Sequence, residues 1–328
     1  MKTYLEIAAL RQSHIESCSH LFINKFKAFR ETFPELPDLM TKQDVIKGKM
    51  DHLLEIGGGL VALQGDTPIG YLMWVEVENF RNTDRKTAYL PEYAHGVLEP
   101  NGINIYQHMY RAAADQWFKD SCQAQAVTQL ANDPYLHDFW FWNGFGMTVV
   151  DAIRKVEPLP AKESAALEIR KADLEDVANL VQIEIQHAQY YSQAPTLMIA
   201  PNPSDATEFA EILQNERNTV WLAFDQGQLV GYLRIEGISQ GASSLVLVET
   251  NPAITGLYAL PQYRGRGIGS ALLQTAMQEL ANQGYQTCSV DFESINPDAS
   301  NFWLRYFKPF CYSLIRVPEY SIDKNHLE

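Results

Sequence analysis

The chain has 328 residues, 46% of them apolar, which is long for one globular domain and comfortable for two. Its net charge of −14, from 26 basic and 40 acidic side chains, disfavours nucleic acid and anionic membranes and favours neutral or cationic partners such as amines. Four scattered cysteines without a Cys-x-x-Cys pair read as reduced, buried thiols of a cytoplasmic protein. No membrane-length apolar run, signal-peptide core, metal-ligand pattern or nucleophile elbow is found in the sequence.

Taken in order, the chain states one pattern twice, at a spacing near 160 residues. Ser13-His14-Ile15-Glu16 reads as a capping box that opens a helix, and Asp173-Leu174-Glu175-Asp176 repeats it with an acidic residue in the same place. Hairpin-like stretches at 61–66 and 222–227 lead into Gly70-Tyr71-Leu72 and Gly231-Tyr232-Leu233. Phe139-Trp140 and Phe302-Trp303 stand near the ends of the halves, each before a last strand closing on Arg154 or Arg316. Residues 157–164, with two prolines and several charges, have the composition of a linker. The expected division is a domain over 1–156, a linker over 157–166, a second domain over 167–318 and a tail over 319–328.

The second half reads as a strand near 167–170, a helix over 173–189, a proline-bearing irregular stretch and a short helix over 205–213. Two strands about Gly227 and a longer strand into Leu260 follow. From Ile268 the positions Ala271, Leu272, Thr275, Ala276, Glu279 and Leu280 keep the 3.6-residue period, and Gly284 stops it. A strand over 287–292, a short helix over 297–306 and a last strand over 312–317 complete the half.

Chemistry concentrates where strand meets helix, at Leu257-Tyr258-Ala259-Leu260-Pro261-Gln262-Tyr263-Arg264-Gly265-Arg266-Gly267-Ile268-Gly269-Ser270. Alternate glycines let a tight turn present bare N–H groups, and the helix that starts there aims its unpaired amides and positive dipole end at the same point. Two arginines add charge. The arrangement suits a phosphate or diphosphate. It is not a P-loop, because no Lys follows the glycines, and its glycine spacing is one short of the dinucleotide fingerprint, although Asp291 stands near the distance of a ribose contact.

Arg264-Gly265-Arg266-Gly267-Ile268-Gly269 resembles the acetyl-CoA signature Q/R-x-x-G-x-G/A of the GNAT superfamily of N-acetyltransferases. The resemblance implies two tandem α/β domains, each a mixed, mostly antiparallel sheet flanked by helices. The second would carry the acyltransferase and the first would be a degenerate copy. In that first copy Leu90-Pro91-Glu92-Tyr93 survives, but the arginines and close glycines do not, and Glu99 would set negative charge near a diphosphate. The resemblance further implies acetyl-CoA as co-substrate, an amine as acceptor, no metal, and cofactor contacts from Tyr258, Ala259, Arg264, Gly265, Arg266, Gly267, Ile268, Gly269 and Ser270.

An amine attacking a thioester needs a base, an oxyanion donor and an acid. The donor maps to a backbone N–H at Ala259 or its neighbour. Asn296 reads either as a cofactor contact or as a helix cap. Trp303 stands where relatives carry Tyr, and indole cannot usefully protonate a thiolate, so Tyr306 is taken as the acid against a reading as a core aromatic. Asp291 and Glu293 share one strand face, and Glu293 is taken as the base, with Glu249 or water as alternatives. A non-catalytic acyl-CoA sensor and a dinucleotide oxidoreductase are the rival readings. A homo-oligomer is compatible with the sequence.

Overall fold

The structure is a computed structural model that describes residues 5–98, 102–159, 167–239 and 241–319. It divides into two compact units, residues 1–150 with 310–328 and residues 151–309. The expected ends of the linker and tail, 160–166 and 320–328, and Glu99 lie outside the described residues. No helix among the described residues is long and apolar enough to cross a membrane.

The first unit runs β1 (Leu5–Ala9), α1 (Ile15–Thr32), α2 (Gln43–Ile56), β2 (Gly58–Gln64), β3 (Thr67–Val77), β4 (Thr87–Leu90), β5 (His95–Val97), α3 (Gly102–Lys119), β6 (Ala124–Leu130) and α4 (Pro134–Trp142). β7 (Gly146–Lys155) crosses the division between the units at Val150. In α1 the buried positions Ile15, Cys18, Phe22, Phe26 and Phe29 recur every three or four residues, which gives the helix one apolar face. Every residue of β6 is buried, as expected of a strand covered on both faces. The core gathers Tyr106, Tyr110, Trp117, Phe139, Trp140 and Phe145.

The second unit follows the same order: β8 (Glu168–Lys171), α5 (Val177–Tyr191), α6 (Ala206–Gln214), β9 (Thr219–Asp225), β10 (Gln228–Glu236), β11 (Ala253–Ala259), α7 (Ile268–Asn282), β12 (Thr287–Glu293) and α8 (Pro297–Trp303). Its sheet is ordered β12-β11-β10-β9-β8, with β11 and β12 parallel and the other pairs antiparallel. Two details recur in both units. Ladder irregularities fall just before Gly70 in β3 and just before Gly231 in β10. Asp133 and Asn296 cap α4 and α8, each followed by a proline that fits the first turn because its missing N–H has no helical role there.

Two expectations are corrected. Asp173 does cap its helix, with Asp176 returning a bond to the Asp173 N–H. Ser13 does not cap: the chain makes a single 3₁₀ turn over Gln12–His14, where His14 Nδ1 accepts from the Arg11 N–H. The last strand, β13 (Lys308–Arg316), belongs with the first unit from Phe310 onward rather than with the half that precedes it. It pairs antiparallel with β6, from Cys311↔Leu130 to Arg316↔Gln125, and Leu314 enters the first unit's core. Arg316 Nη1 donates to Tyr110 Oη at 2.6 Å, which fixes the strand's far end. Cys18, Cys122, Cys288 and Cys311 are free thiols and all are buried.

Candidate functional site

The site lies wholly in the second unit, where two parallel strands part. β11 and β12 pair only at Ala253↔Ser289 and Ile254↔Val290. Beyond that point they line opposite walls of a cleft of about 980 Å³, Thr255 to Ala259 on one side and Asp291 and Phe292 on the other. The irregularity in the β10–β11 ladder, where Gly256 faces Arg234 but Ile254 faces Ile235, leaves Thr255 as an extra residue at the mouth of the wedge. Arg234 fills behind it, donating to Thr255 Oγ1 at 2.9 Å and to the Thr255 carbonyl at 3.2 Å.

Backbone alternation sets what this wall offers. The Leu260 N–H donates to Val230 on β10, so at period two Tyr258 and Gly256 also turn to β10. Ala259 and Leu257 turn into the cleft. The Ala259 carbonyl accepts from Arg264 Nε at 3.2 Å, as that alternation requires. Leu257 is the nearer of the two to the parting point.

At the other end stands the glycine loop. Gly265 and Gly267 take φ of 77° and 83°, a region that glycine enters without penalty, and Gly267 is the N-cap of α7. Among the described residues, none of the N–H groups from Gly265 to Ser270 has a protein acceptor, and all of these residues line the cleft. Six consecutive amides leading into a helix N-terminus have the arrangement that suits an anion. Gly269 serves packing instead: a Cβ there would lie 3.2 Å from the Phe302 ring of α8.

The two arginines divide their roles. Arg266 is exposed beside the loop, over the Tyr263 ring at 5.1 Å. Arg264, expected to add charge to the anion site, is largely engaged by protein. Its guanidinium lies over Tyr190 at 4.3 Å and Tyr258 at 5.5 Å, and Nη1 is 2.8 Å from Asp298 Oδ2, which also accepts from Tyr190 at 2.7 Å. Arg264 therefore clasps β11, α5 and α8 together. Asp298 and Tyr190 were not singled out in the sequence.

A second polar group escaped sequence reading. Glu184 and His187, three apart on α5, meet Tyr232 of β10. The Tyr232 hydroxyl donates to Glu184 Oε2, and His187 Nδ1 lies 2.7 Å from the same hydroxyl and 3.6 Å from the carboxylate. Burial opposes ionisation of Glu184, but the adjacent His187 imidazole, the bond from Tyr232 and the nearby Arg234 charge hold its carboxyl below the usual value. Burial first, then Glu184, raises the Tyr232 phenol well above its ordinary value. The imidazole stacks on Tyr258 at 5.0 Å and lines the cleft. The acid–His spacing of Glu184-x-x-His187 was the available signal.

The remaining candidates scatter. Asp291 lines the cleft, whereas Glu293, one strand period on, is not among its lining residues. Burial and then the Glu293 charge push the Asp291 carboxyl up to about 6. Glu249 is exposed and paired with Arg217 at 2.7 Å, away from the cleft lining. Asn296 is buried, caps α8 through bonds of 3.2 Å from the Asp298 and Ala299 N–H groups, and also lines the cleft. Trp303 is buried. Tyr306 lines the cleft too, but its hydroxyl is 3.0 Å from Ser270 Oγ, in the first turn of α7.

A mixed sheet splayed at one parallel pair, with a helix N-terminus over the opening, defines the class. Residues 184–307, which lie within the second unit, match the model of the acetyltransferase (GNAT) family. The fold continues over the rest of the chain. A GCN5-related N-acetyltransferase from Sphaerobacter thermophilus aligns at TM-score 0.58 and 14% identity, over 97% of this chain and 98% of that one. A tandem GNAT protein from the clavulanic acid biosynthesis pathway aligns at 0.51 and 13%, over 97% and 100%. A glucosamine N-acetyltransferase region of a fungal multi-domain GH3 β-N-acetylglucosaminidase aligns at 0.54 and 13%; this chain spans 38% of that chain's length. No curated protein matches the sequence significantly. The GNAT fold supports acyl transfer in general.

Proposed function

We propose that the second unit transfers an acetyl group from acetyl-CoA to the amine of a small molecule. The observation that carries this reading is the row of unpartnered amides from Gly265 to Ser270, set at the end of a cleft whose walls are two parted strands. The amides and Arg266 would hold the diphosphate, and the walls would receive the pantetheine arm. The donor supplies an activated acyl carbon. The Leu257 N–H would stabilise the oxyanion, and Asp291 would draw in an ammonium group. Tyr306 and Asn296 belong with the donor contacts on this reading. The Tyr306 hydroxyl bonds to the cradle itself, at the opposite end of the arm from the thioester, and suits holding the donor better than protonating a thiolate. Replacement of Tyr306 by Phe is expected to raise the KM for acetyl-CoA severalfold with kcat nearly unchanged; a large fall in kcat alone would restore the acid.

The first unit is proposed to be a copy that does not bind CoA. All four residues of β4 pair with β6, from Thr87↔Ala124 to Leu90↔Val127, so no wedge opens there. Just past that ladder, buried His95 spans the gap, with Nε2 at 2.9 Å from the Thr128 carbonyl and Nδ1 at 2.9 Å from Tyr106 Oη. Over His95–Val97 the chain forms β5, which pairs with β3. Calorimetry with CoA, followed by thiol release from acetyl-CoA over a panel of amines, tests both parts. One equivalent per chain and amine-dependent thiol release are expected. Two equivalents would refute the closed copy, and binding without turnover would favour an acyl-CoA sensor.

A further inference from the structure

The proton count around Tyr232 is closed. Glu184, held below its ordinary value, is a carboxylate at neutral pH and can only accept. Tyr232 has one proton, and it goes to Glu184. Toward His187 the phenol oxygen can therefore only accept, so His187 Nδ1 must carry the proton in the 2.7 Å bond. In the neutral ring the lone pair is then on Nε2, which has no partner among the described residues, on an imidazole that lines the cleft. Stacking on Tyr258 and the contact with Tyr191, at 5.4 Å between ring centres, fix the ring plane. Two supports, one hydrogen-bonded and one stacked, orient a basic nitrogen that no structural role consumes.

We infer that His187 Nε2 is the proton acceptor of this cleft, with Tyr232 and Glu184 as positioning residues that fix its tautomer. The inference rests on the acyl-transfer reading of the same cleft. As the amine nitrogen bonds to the acyl carbon, the N–H proton passes to Nε2. The C–S bond breaks with its electron pair on sulfur, and the imidazolium then returns the proton to the thiolate, giving amide and free thiol. The acceptor is an amine that arrives as an ammonium cation, since the surrounding charge is acidic, and it releases one proton to solvent before its lone pair attacks, so that Nε2 handles only the second. Glu184 and Tyr191 face His187 from its own helix, Tyr232 with Arg234 behind it from β10, Tyr258 from β11, and Asp291 and Glu293 from β12 across Tyr191.

Long-range proton–nitrogen NMR on the full chain reads the tautomer without any substrate. The Nδ1–H form is expected, and an Nε2–H form overturns the inference. Tyr232→Phe removes the oxygen between the two partners and is expected to abolish the tautomer preference and lower kcat about tenfold, with the KM for CoA unmoved. His187→Gln is expected to lower kcat/KM for the amine at least about 100-fold, with the loss falling in kcat. Its CoA affinity by calorimetry should match the parent's. A loss under threefold overturns the assignment. Failure of the parent chain to bind CoA would instead sink the acyl-transfer reading, leaving the NMR result to decide the tautomer.

Discussion

Alanine at Gly265 is expected to weaken CoA binding about tenfold, whereas alanine at Gly284 leaves binding unchanged and lowers stability. The two glycines are matched controls. Their φ angles are 77° and 84°, and a Cβ at either would meet no atom within 4 Å, so neither substitution creates a clash. What remains is backbone strain, about 1–2 kcal/mol for an L-residue held in the left-handed region.

The two sites differ in who holds the backbone there. Gly284 ends α7, and its N–H is committed to the Ala281 carbonyl. Its strain therefore falls on folding, a loss of about 2–4 °C in Tm per kcal/mol for a unit of this size. Gly265 sits in a loop whose amides have no protein acceptors, so the ligand-free variant relaxes out of the strained region. Binding must then restore the cradle, and about 1.4 kcal/mol of restored strain is a factor of ten in Kd. Calorimetry and thermal melts on both variants separate the outcomes. Equal losses of affinity at the two positions would mean that the loop amides do not form the binding surface.

This division between loop and scaffold also explains what was legible in the sequence. The cradle could be read because its parts are contiguous: glycines at fixed offsets, a strand before them and a periodic helix after. The helix starts at Ile268, as that periodicity requires. The open wedge could not be read. β4 and β11 both lead into a proline, and it is their pairing, four residues with β6 against two with β12, that separates a closed ladder from an open one. Side-chain alternation along β13 says that the strand is half-buried, and it fits the partner sheet of either unit equally well. The Arg264–Asp298 clasp and the Glu184–Tyr232–His187 group each join segments more than 30 residues apart. Spacing carries no signal for such contacts, and only Glu184-x-x-His187, three apart on one helix, could have been read. Within the pair of strand carboxylates, alternation placed both on one face, but the depth of the cleft selects Asp291 over Glu293 as a lining residue.

Asp291→Asn should stabilise the protein at pH 8 and leave it nearly unchanged near pH 3.5, while weakening the proposed amine acceptor at pH 8. Burial, reinforced by Glu293 and only partly opposed by a backbone hydrogen bond, lifts the folded-state pKa from 3.8 to about 6. A carboxyl raised in the folded state favours folding while protonated, so that contribution is intact below about pH 3.8 and is lost as pH rises through about 6. The full shift corresponds to about 3 kcal/mol at the limit, and screening at an open cleft reduces the expected difference to about 1–2 kcal/mol. The same penalty is what an arriving ammonium relieves, so the variant's KM for the amine should rise about tenfold above pH 6, while its CoA affinity holds. Urea unfolding of both proteins at pH 4 and pH 8 gives the stability difference directly. An asparagine variant no more stable than the parent at pH 8 would show that Asp291 is already compensated within the protein. The acidic wall would then have no unmet charge with which to attract an amine.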